Sequence, residues 1–441
     1  MTKRYHERVK LGAVANNLVS YGSMTVILIA VATKNNADAI ANSEWWSEYS
    51  DTALISAVKQ FYPIFIALSG GLLLFGALRA AGRPAPIFRC AVMIILMYLY
   101  IITRSLVPAP ENAIKFLLSA LLAFGISFNL SYSWLNENLD ESIRKIFNVL
   151  LLSSGWIIFA NLLNYMTGHG MVPGASRLIG IAGHPNFTGV HIAIGIPLFL
   201  VVILGRGLLN LAFAVPTAVA GVYLLTLTGS RTALLALAIG VSVATAIVLR
   251  IRPLICLLGL VGIALAAALA LHVLGASGKF SVSESNAFYR EENTRAETFT
   301  YLLEQVATRP MLGLGYFEGL PENSILRGWA AFGIVVPVFL FIITVITVQR
   351  YRMLLALNVE RSRLAGLVGC ISAILAGSIT EGYLVDAFSY AMVCFIIIAI
   401  FSDRINLVRR RAGQKRNDDA PIGERGSHEG AIGRTLERAL R

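Results

Sequence analysis

The chain has 441 residues, of which 56% are hydrophobic and only 14% charged, with a mean hydropathy of +0.69 and a formal net charge of +12. Soluble domains carry about 25% charged residues, so these figures exclude a soluble enzyme, a disordered protein and a small disulfide-stapled secreted domain. Outer-membrane barrels alternate in segments of about 10 residues; the apolar runs here are about twice that length, which leaves an all-α, polytopic integral membrane protein.

A membrane-spanning helix needs roughly 20 mainly apolar residues. In chain order the sequence predicts twelve spans: 11–32, 52–78, 90–107, 113–130, 146–166, 187–204, 208–227, 231–249, 253–274, 327–348, 364–381 and 384–402. The first follows a basic start (Lys3, Arg4, Arg8, Lys10) and precedes Ala37-Asp38-Ala39, a pattern shared with cleavable signal peptides. Its apolar run exceeds the about 7–15 residues of a signal-peptide core, so it is expected to stay as a span. Lys and Arg concentrate in cytoplasmic loops. After the N-terminus every second loop is basic: Arg79, Arg83 and Arg89; Arg144 and Lys145; Arg206; Arg250 and Arg252; Arg350, Arg352, Arg361 and Arg363; then Arg404 and the tail. The alternate loops are neutral or acidic, as with Asp38, Glu44, Glu48 and Asp51. Twelve spans with both termini cytoplasmic satisfy this pattern. The positive charge therefore reads as topology and not as a nucleic-acid surface. Cys90, Cys256, Cys370 and Cys394 fall in or beside apolar spans and are expected to be packing residues.

The expected layout is a transmembrane catalytic domain over 1–402, containing a long periplasmic loop at 275–326 between spans nine and ten, and a basic tail over 403–441. At about 50 residues the loop far exceeds the 2–8 of a usual helix–helix connection, and such loops are commonly functional. Within it, Phe299, Leu302, Leu303 and Val306 recur at helical spacing, which predicts an amphipathic helix over 293–308. Asn293 or Thr294 would cap it, with Glu297 completing a capping box after Thr294. Pro310, Gly313, Gly315 and Gly319 end it and predict a turn-rich return strand on the outer membrane face. In the tail, Arg409-Arg410-Arg411 suits anionic lipid; the remainder reads as disordered.

Polar residues of the predicted outer face gather in three places. They are His169 with Arg177 to Asn186, the turn Leu227-Thr-Gly-Ser-Arg231, and the long loop with Arg295, Gly313, Gly315 and Glu322-Asn323-Ser324. Several arginines on one face suit an anionic group, because guanidinium is always charged and grips phosphate oxygens as a bidentate fork. Arg231 also opens a helix, whose N-terminal dipole favours an anion. Arg177 and Arg327 read equally well as span-end residues reaching the headgroups. His184 and His191 have no Asp, Glu or Cys at ligand spacing around them, so no metal site is expected, and His191 is expected to pack in the bundle with a hydrogen bond. There is no Walker A pattern or dinucleotide fingerprint, so no cofactor is expected. An activated, lipid-borne substrate would supply the energy for bond formation.

Four segments in order carry a resemblance. They are Arg177-x-x-Gly180-x-x-Gly183-His184-Pro185-Asn186-Phe187; Leu227-Thr-Gly229-Ser230-Arg231-Thr-Ala233-Leu234-Leu235; Thr294-Arg295-x-x-x-Phe299 with Arg309-Pro310-Met-Leu-Gly313-Leu-Gly315-Tyr316; and Glu322-Asn323-Ser324-x-Leu326 leading to Gly333. Together they resemble the O-antigen ligase and O-antigen polymerase superfamily. The resemblance implies a membrane glycosyltransferase of cell-surface polysaccharide and lipopolysaccharide biosynthesis, acting at the periplasmic face without a metal. Its donor is a glycan on undecaprenyl pyrophosphate. Its acceptor is lipid A core for a ligase, or another lipid-linked repeat unit for a polymerase of O-antigen, capsule or exopolysaccharide.

Carried onto this sequence, the resemblance makes Arg231 and Arg295 the pyrophosphate clamps, with Arg177 a third. His184, Asn186, Asn323 and Tyr316 are further substrate-binding candidates. The family places a histidine before the Asn as base; here the position is Glu322, and His184 is the alternative. A carboxylate performs that proton transfer if burial raises its pKa towards neutrality. The departure favours a polymerase, working with a chain-length regulator, over a ligase. Tyr289, Tyr316, Phe317 and Trp329 are candidates for stacking on sugars, or are interfacial belt aromatics. A transporter of lipid-linked sugars is the rival class, but the sequence lacks the internal repeat such folds carry.

Overall fold

A computed structural model describes residues 19–34, 50–80, 89–136, 138–171, 177–205, 208–258, 294–317, 323–357 and 360–405. These residues fold into α1 (Val19–Thr33), α2 (Ala53–Ala80), α3 (Arg89–Ser105), α4 (Pro110–Asn136), α5 (Leu139–Met166), α6 (Pro185–Leu204), α7 (Leu208–Thr228), α8 (Arg231–Leu249), α9 (Thr294–Thr308), α10 (Ser324–Phe332), α11 (Val335–Ala356), α12 (Arg361–Ser378) and α13 (Tyr390–Ser402). Among the described residues the one extended pairing is an isolated bridge, Met171 with Leu178. Seven of the helices (α2, α4, α5, α6, α7, α8 and α11) are long and apolar enough to cross a membrane, and α1 and α13 are shorter apolar helices. The chain is thus an all-α polytopic membrane protein.

The hydrogen bonds show which helix ends meet. Thr52 beside the start of α2 bonds Asn164 near the end of α5. Leu178 before α6 donates to Leu227 at the end of α7, and Arg177 to Thr228. Thr232 at the start of α8 donates to Glu381, just past α12. Arg104 at the end of α3 donates to the Leu312 carbonyl. All of these lie at one end, here the Arg231 end. At the opposite end, Cys90 of α3 donates to Asp403 after α13, Arg350 of α11 pairs with Asp403, and Arg361 of α12 donates to the Ile247 carbonyl of α8. Lys145 of α5 lies over the Tyr21 ring of α1 there. From α1 to α8, and again from α11 to α13, successive helices therefore run up and down.

α6 and α13 form the centre. All thirteen residues of α13 are buried, and α6 exposes almost none of its side chains. A helix apolar on all sides belongs inside a bundle. α2 is its opposite, with Phe61, Ile64, Phe65, Leu68, Leu72 and Phe75 exposed, as a lipid-facing helix requires. Helices in lipid associate by close packing of small residues. Here Gly240 of α8 faces Gly369 of α12: a Cβ on Gly369 would lie 2.8 Å from the Gly240 carbonyl oxygen and 2.8 Å from Pro197 Cβ of α6. Gly369→Val is therefore expected to cost about 1–3 kcal/mol through overpacking, read as a lowered midpoint of thermal unfolding in detergent. Gly71→Val meets nothing within 4 Å of its Cβ and serves as the neutral control.

Several expectations need correction. The tenth span does not run unbroken over 327–348. α10 stops at Phe332 and α11 begins at Val335, because Gly333 turns the chain at φ +77 with Met311 pressed against it. The return after α9 is turns and bends, not a strand, among the described residues. Leu303 is exposed, whereas Leu302 and Val306 form the face of α9 that packs on Ala330, Leu326 and Trp329 of α10. The twelfth span is split into a 3-10 turn at Tyr383–Val385 and α13. The bundle extends past residue 402, because Asp403, Arg404 and Ile405 are buried. His191 is buried against the Tyr390 ring, 5.1 Å between centroids, with neither ring nitrogen hydrogen-bonded. Most of the ninth span, the tail from 406 and the basic N-terminus lie outside the described residues.

Candidate functional site

The Arg231 end is built from three polar segments. In the first, Gly180 (φ +68) and Gly183 (φ +72) wind the chain down onto α6. A Cβ on Gly180 would lie 2.2 Å from Asn161 Oδ1 and 2.4 Å from Thr188, so the Gly-x-x-Gly spacing is a packing requirement. Asn161 Oδ1 accepts from the Ile181 N–H at 2.9 Å. His184 caps α6, its Nδ1 accepting from the Asn186 N–H at 3.2 Å. Pro185 fills the first helical position, where no N–H is required.

Arg177 joins this segment to the second. Its Nε donates to the Thr228 carbonyl at 2.6 Å and its Nη2 to Asn186 Oδ1 at 3.1 Å. Gly229 (φ +60) makes the turn, and Ser230 caps α8 by accepting from the Ala233 N–H at 3.2 Å. Arg231 follows as the first residue of α8. Its side chain is exposed and, among the described residues, makes no hydrogen bond or ion pair. The orphan N–H groups and dipole of α8 add positive potential beside its guanidinium.

The third segment holds α10. Asn323, in a left-handed conformation (φ 47), caps it by accepting from the N–H groups of Ile325 and Leu326, both at 3.0 Å. Ser324 donates to the Glu381 carbonyl at 2.7 Å. Glu381 is 2% exposed, and its carboxylate accepts from Thr232 at 3.3 Å, while Thr380 donates to Thr232 at 2.9 Å. Arg327 is buried. It donates to the Gly382 carbonyl, pairs with Asp386 at 2.5 Å, and lies over the Phe317 ring at 4.1 Å. Gly313 and Gly315, both at positive φ, let the chain after α9 lie against Ala331 and Gly333. Trp329 Nε1 donates to the Pro310 carbonyl at 2.8 Å. Burial pushes the Tyr383 phenol well above its ordinary pKa, with the nearby Glu381 adding to the shift; the neutral hydroxyl donates to the Ile374 carbonyl at 2.5 Å.

Of the predicted site residues, Arg177, His184, Asn186, Arg231 and Asn323 come together at this end, and Tyr316 sits half-buried beside Phe317. Arg295 lies in the first turn of α9, its side chain outside the described residues, as are Glu322 and Tyr289. Two acids went unnoticed in the sequence, Glu381 and Asp386. Their only signal was the polar break Thr380-Glu381-Gly382 between two apolar runs.

Fold and site define a polytopic helical membrane protein with a cationic, turn-built site at one end of its bundle. Residues 216–333 match the O-antigen ligase family. This match supports the chain's resemblance to the O-antigen ligase and O-antigen polymerase superfamily. The matched stretch begins inside α7, ends where α10 gives way at Gly333, and contains Arg231, Arg295, Tyr316, Glu322 and Asn323. Arg177, His184 and Asn186 precede it. No curated protein matches the chain.

Proposed function

We propose that the protein is a glycosyltransferase of the bacterial inner membrane that polymerises repeat units carried on undecaprenyl pyrophosphate at the periplasmic face. The observation carrying this is a division among the arginines of the Arg231 end. Arg177 and Arg327 are bonded into the scaffold, while Arg231 stands exposed at a helix N-terminus within the matched domain. The Arg231 end faces the periplasm in this scheme, and both termini are cytoplasmic. α1 starts and α13 finishes at the opposite end, next to the basic segments that favour the cytoplasm.

Arg231 and Arg295 hold the donor's pyrophosphate. The acceptor hydroxyl oxygen attacks the anomeric carbon, and the bond from that carbon to the pyrophosphate oxygen breaks. Negative charge grows on the leaving group, where fixed guanidinium charge lowers the barrier. Glu322 takes the hydroxyl proton; it directly precedes Asn323, whose side chain fixes the start of α10. Arg177 keeps the Thr228–Arg231 turn in place, and His184, Asn186 and Tyr316 contact the sugars. Repeat number would be set with a separate chain-length regulator.

The second reading, a ligase transferring the glycan to lipid A core, is favoured by the description of the matched family. One assay tests both. In cells lacking the gene, single repeat units on the surface indicate a lost polymerase. Polymer accumulating on the lipid carrier indicates a lost ligase. Complementation with Arg295→Ala or Glu322→Gln, at wild-type abundance, is expected to leave the null phenotype. Full restoration by both would remove these residues from the site.

A further inference from the structure

A second feature of the Arg231 end lies apart from Arg231 itself. Lys34, α2, α4 and the loop before α13 line a half-open cavity of about 440 Å³, within the range of small-molecule sites. Its α2 wall runs from Tyr62 to Leu74, about 18 Å of helix at 1.5 Å per residue. The cavity is therefore long, and its lining is almost wholly apolar. The exceptions are the Tyr62 hydroxyl, Lys34, directly after α1, and Lys115, in the second turn of α4, each of which also has a contact within the protein. Both lysines sit towards the Arg231 end, so the cations lie at one mouth and the apolar floor runs into the bundle. Gly70 and Gly71 keep the floor open, since a Cβ on either would meet nothing within 4 Å. A long apolar slot with two cations at one mouth complements a lipid with an anionic headgroup.

The cavity is also joined to the site. Phe388 lines it, held in a left-handed conformation (φ 57), and it lies two residues from Asp386, the partner of Arg327. The segment from Glu381 to Phe388 spans at most about 25 Å fully extended. One short loop therefore connects the carboxylate beside α8 with the wall of the slot.

We propose that this slot seats the polyprenyl chain of the second lipid-borne substrate, the acceptor repeat unit, with Lys34 and Lys115 on its pyrophosphate. The assignment rests on the polymerase reading above. That reaction brings two lipid pyrophosphates to one end of the bundle, and Arg231 and Arg295 take only the donor's. The slot delivers the acceptor from the opposite flank, so its sugar hydroxyl meets the donor over the 381–388 loop.

The test is photolabelling of the full-length protein in phosphatidylcholine nanodiscs with a diazirine-bearing polyprenyl pyrophosphate. Labelled peptides from α2 and α4 are expected. Labelling there should fall at least ten-fold in Lys34→Glu/Lys115→Glu and in Gly70→Leu/Gly71→Leu, and persist in Arg231→Ala. The glycine variant adds side chains into open space, so its melting temperature should match wild type, and its KM for acceptor should rise while kcat holds. Equal labelling of these peptides by diazirine phosphatidylglycerol would show ordinary bilayer lipid in the slot and overturn the proposal, as would undiminished labelling of both double variants. If Arg231→Ala stops polymer formation while α2 and α4 stay unlabelled, only the slot assignment falls. If Arg231→Ala makes normal polymer, the polymerase reading itself falls.

Discussion

Arg231→Ala is expected to lower polymer formation by two to three orders of magnitude, the loss that follows removal of one preorganised charge-stabilising donor, about 10²–10³-fold. The fold should not change. The Arg231 side chain is exposed and bonded to nothing among the described residues, and surface substitutions of that kind stay within about ±0.5 kcal/mol. Arg231→Lys keeps the charge but loses the bidentate fork, so an intermediate rate is expected. Initial rates in proteoliposomes with a lipid-linked repeat unit, alongside thermal unfolding, separate the two effects. A variant that unfolds as it loses activity would move Arg231 from chemistry to architecture.

Asp403→Ala should produce the largest loss of stability. Asp403 is fully buried, pairs with the buried Arg350, and accepts from the Cys90 N–H at 2.9 Å. Arg350 also contacts Cys90 Sγ at 3.0 Å. Removing the carboxylate strands a guanidinium among α3, α11 and α13, at a cost of about 3–5 kcal/mol. Replacing both charges, Arg350→Met with Asp403→Leu, is expected to recover most of that loss, because a well-packed apolar pair is often as stable as a buried ion pair. Denaturant midpoints in detergent for the two single variants and the double variant check this. A double variant as weak as Asp403→Ala would refute the desolvation explanation.

The helices around the site were legible in the sequence almost to the residue. Spans read at 187–204, 208–227 and 231–249 are α6, α7 and α8, because Pro185, Arg206 and the Gly229-Ser230-Arg231 turn interrupt the apolar runs sharply. The break at Gly333 was not legible. Apolar residues continue across it, and its cause is a close approach of Met311 from elsewhere in the chain. Glu381 and Asp386 were missed for the same reason. Their partners, Thr232 and Arg327, lie 149 and 59 residues away, and sequence spacing carries no trace of such contacts. Asp403 looked like the first residue of a solvated tail, and only its pairing across the bundle shows otherwise. Five of the motif residues, Arg177, His184, Asn186, Arg231 and Asn323, lie at one end of the bundle, but spacing alone could not separate scaffold from exposed charge. Arg177, His184 and Asn186 brace turns and caps, whereas Arg231 is exposed.

The enclosure of α13 also dictates an order of events during biogenesis. Chains emerge from the ribosome N-terminal end first, at about 5–20 residues per second. The helices that surround α13 are therefore made and inserted before the helix they enclose. Until Tyr390–Ser402 arrives, α3, α6, α11 and α12 lack the helix that fills the space between them, and Arg350 has no Asp403 to neutralise it. The pairing of Asp403 with Arg350 therefore forms only after α13 has been made, later than the packing of α3 on α4 or of α6 on α7 and α8.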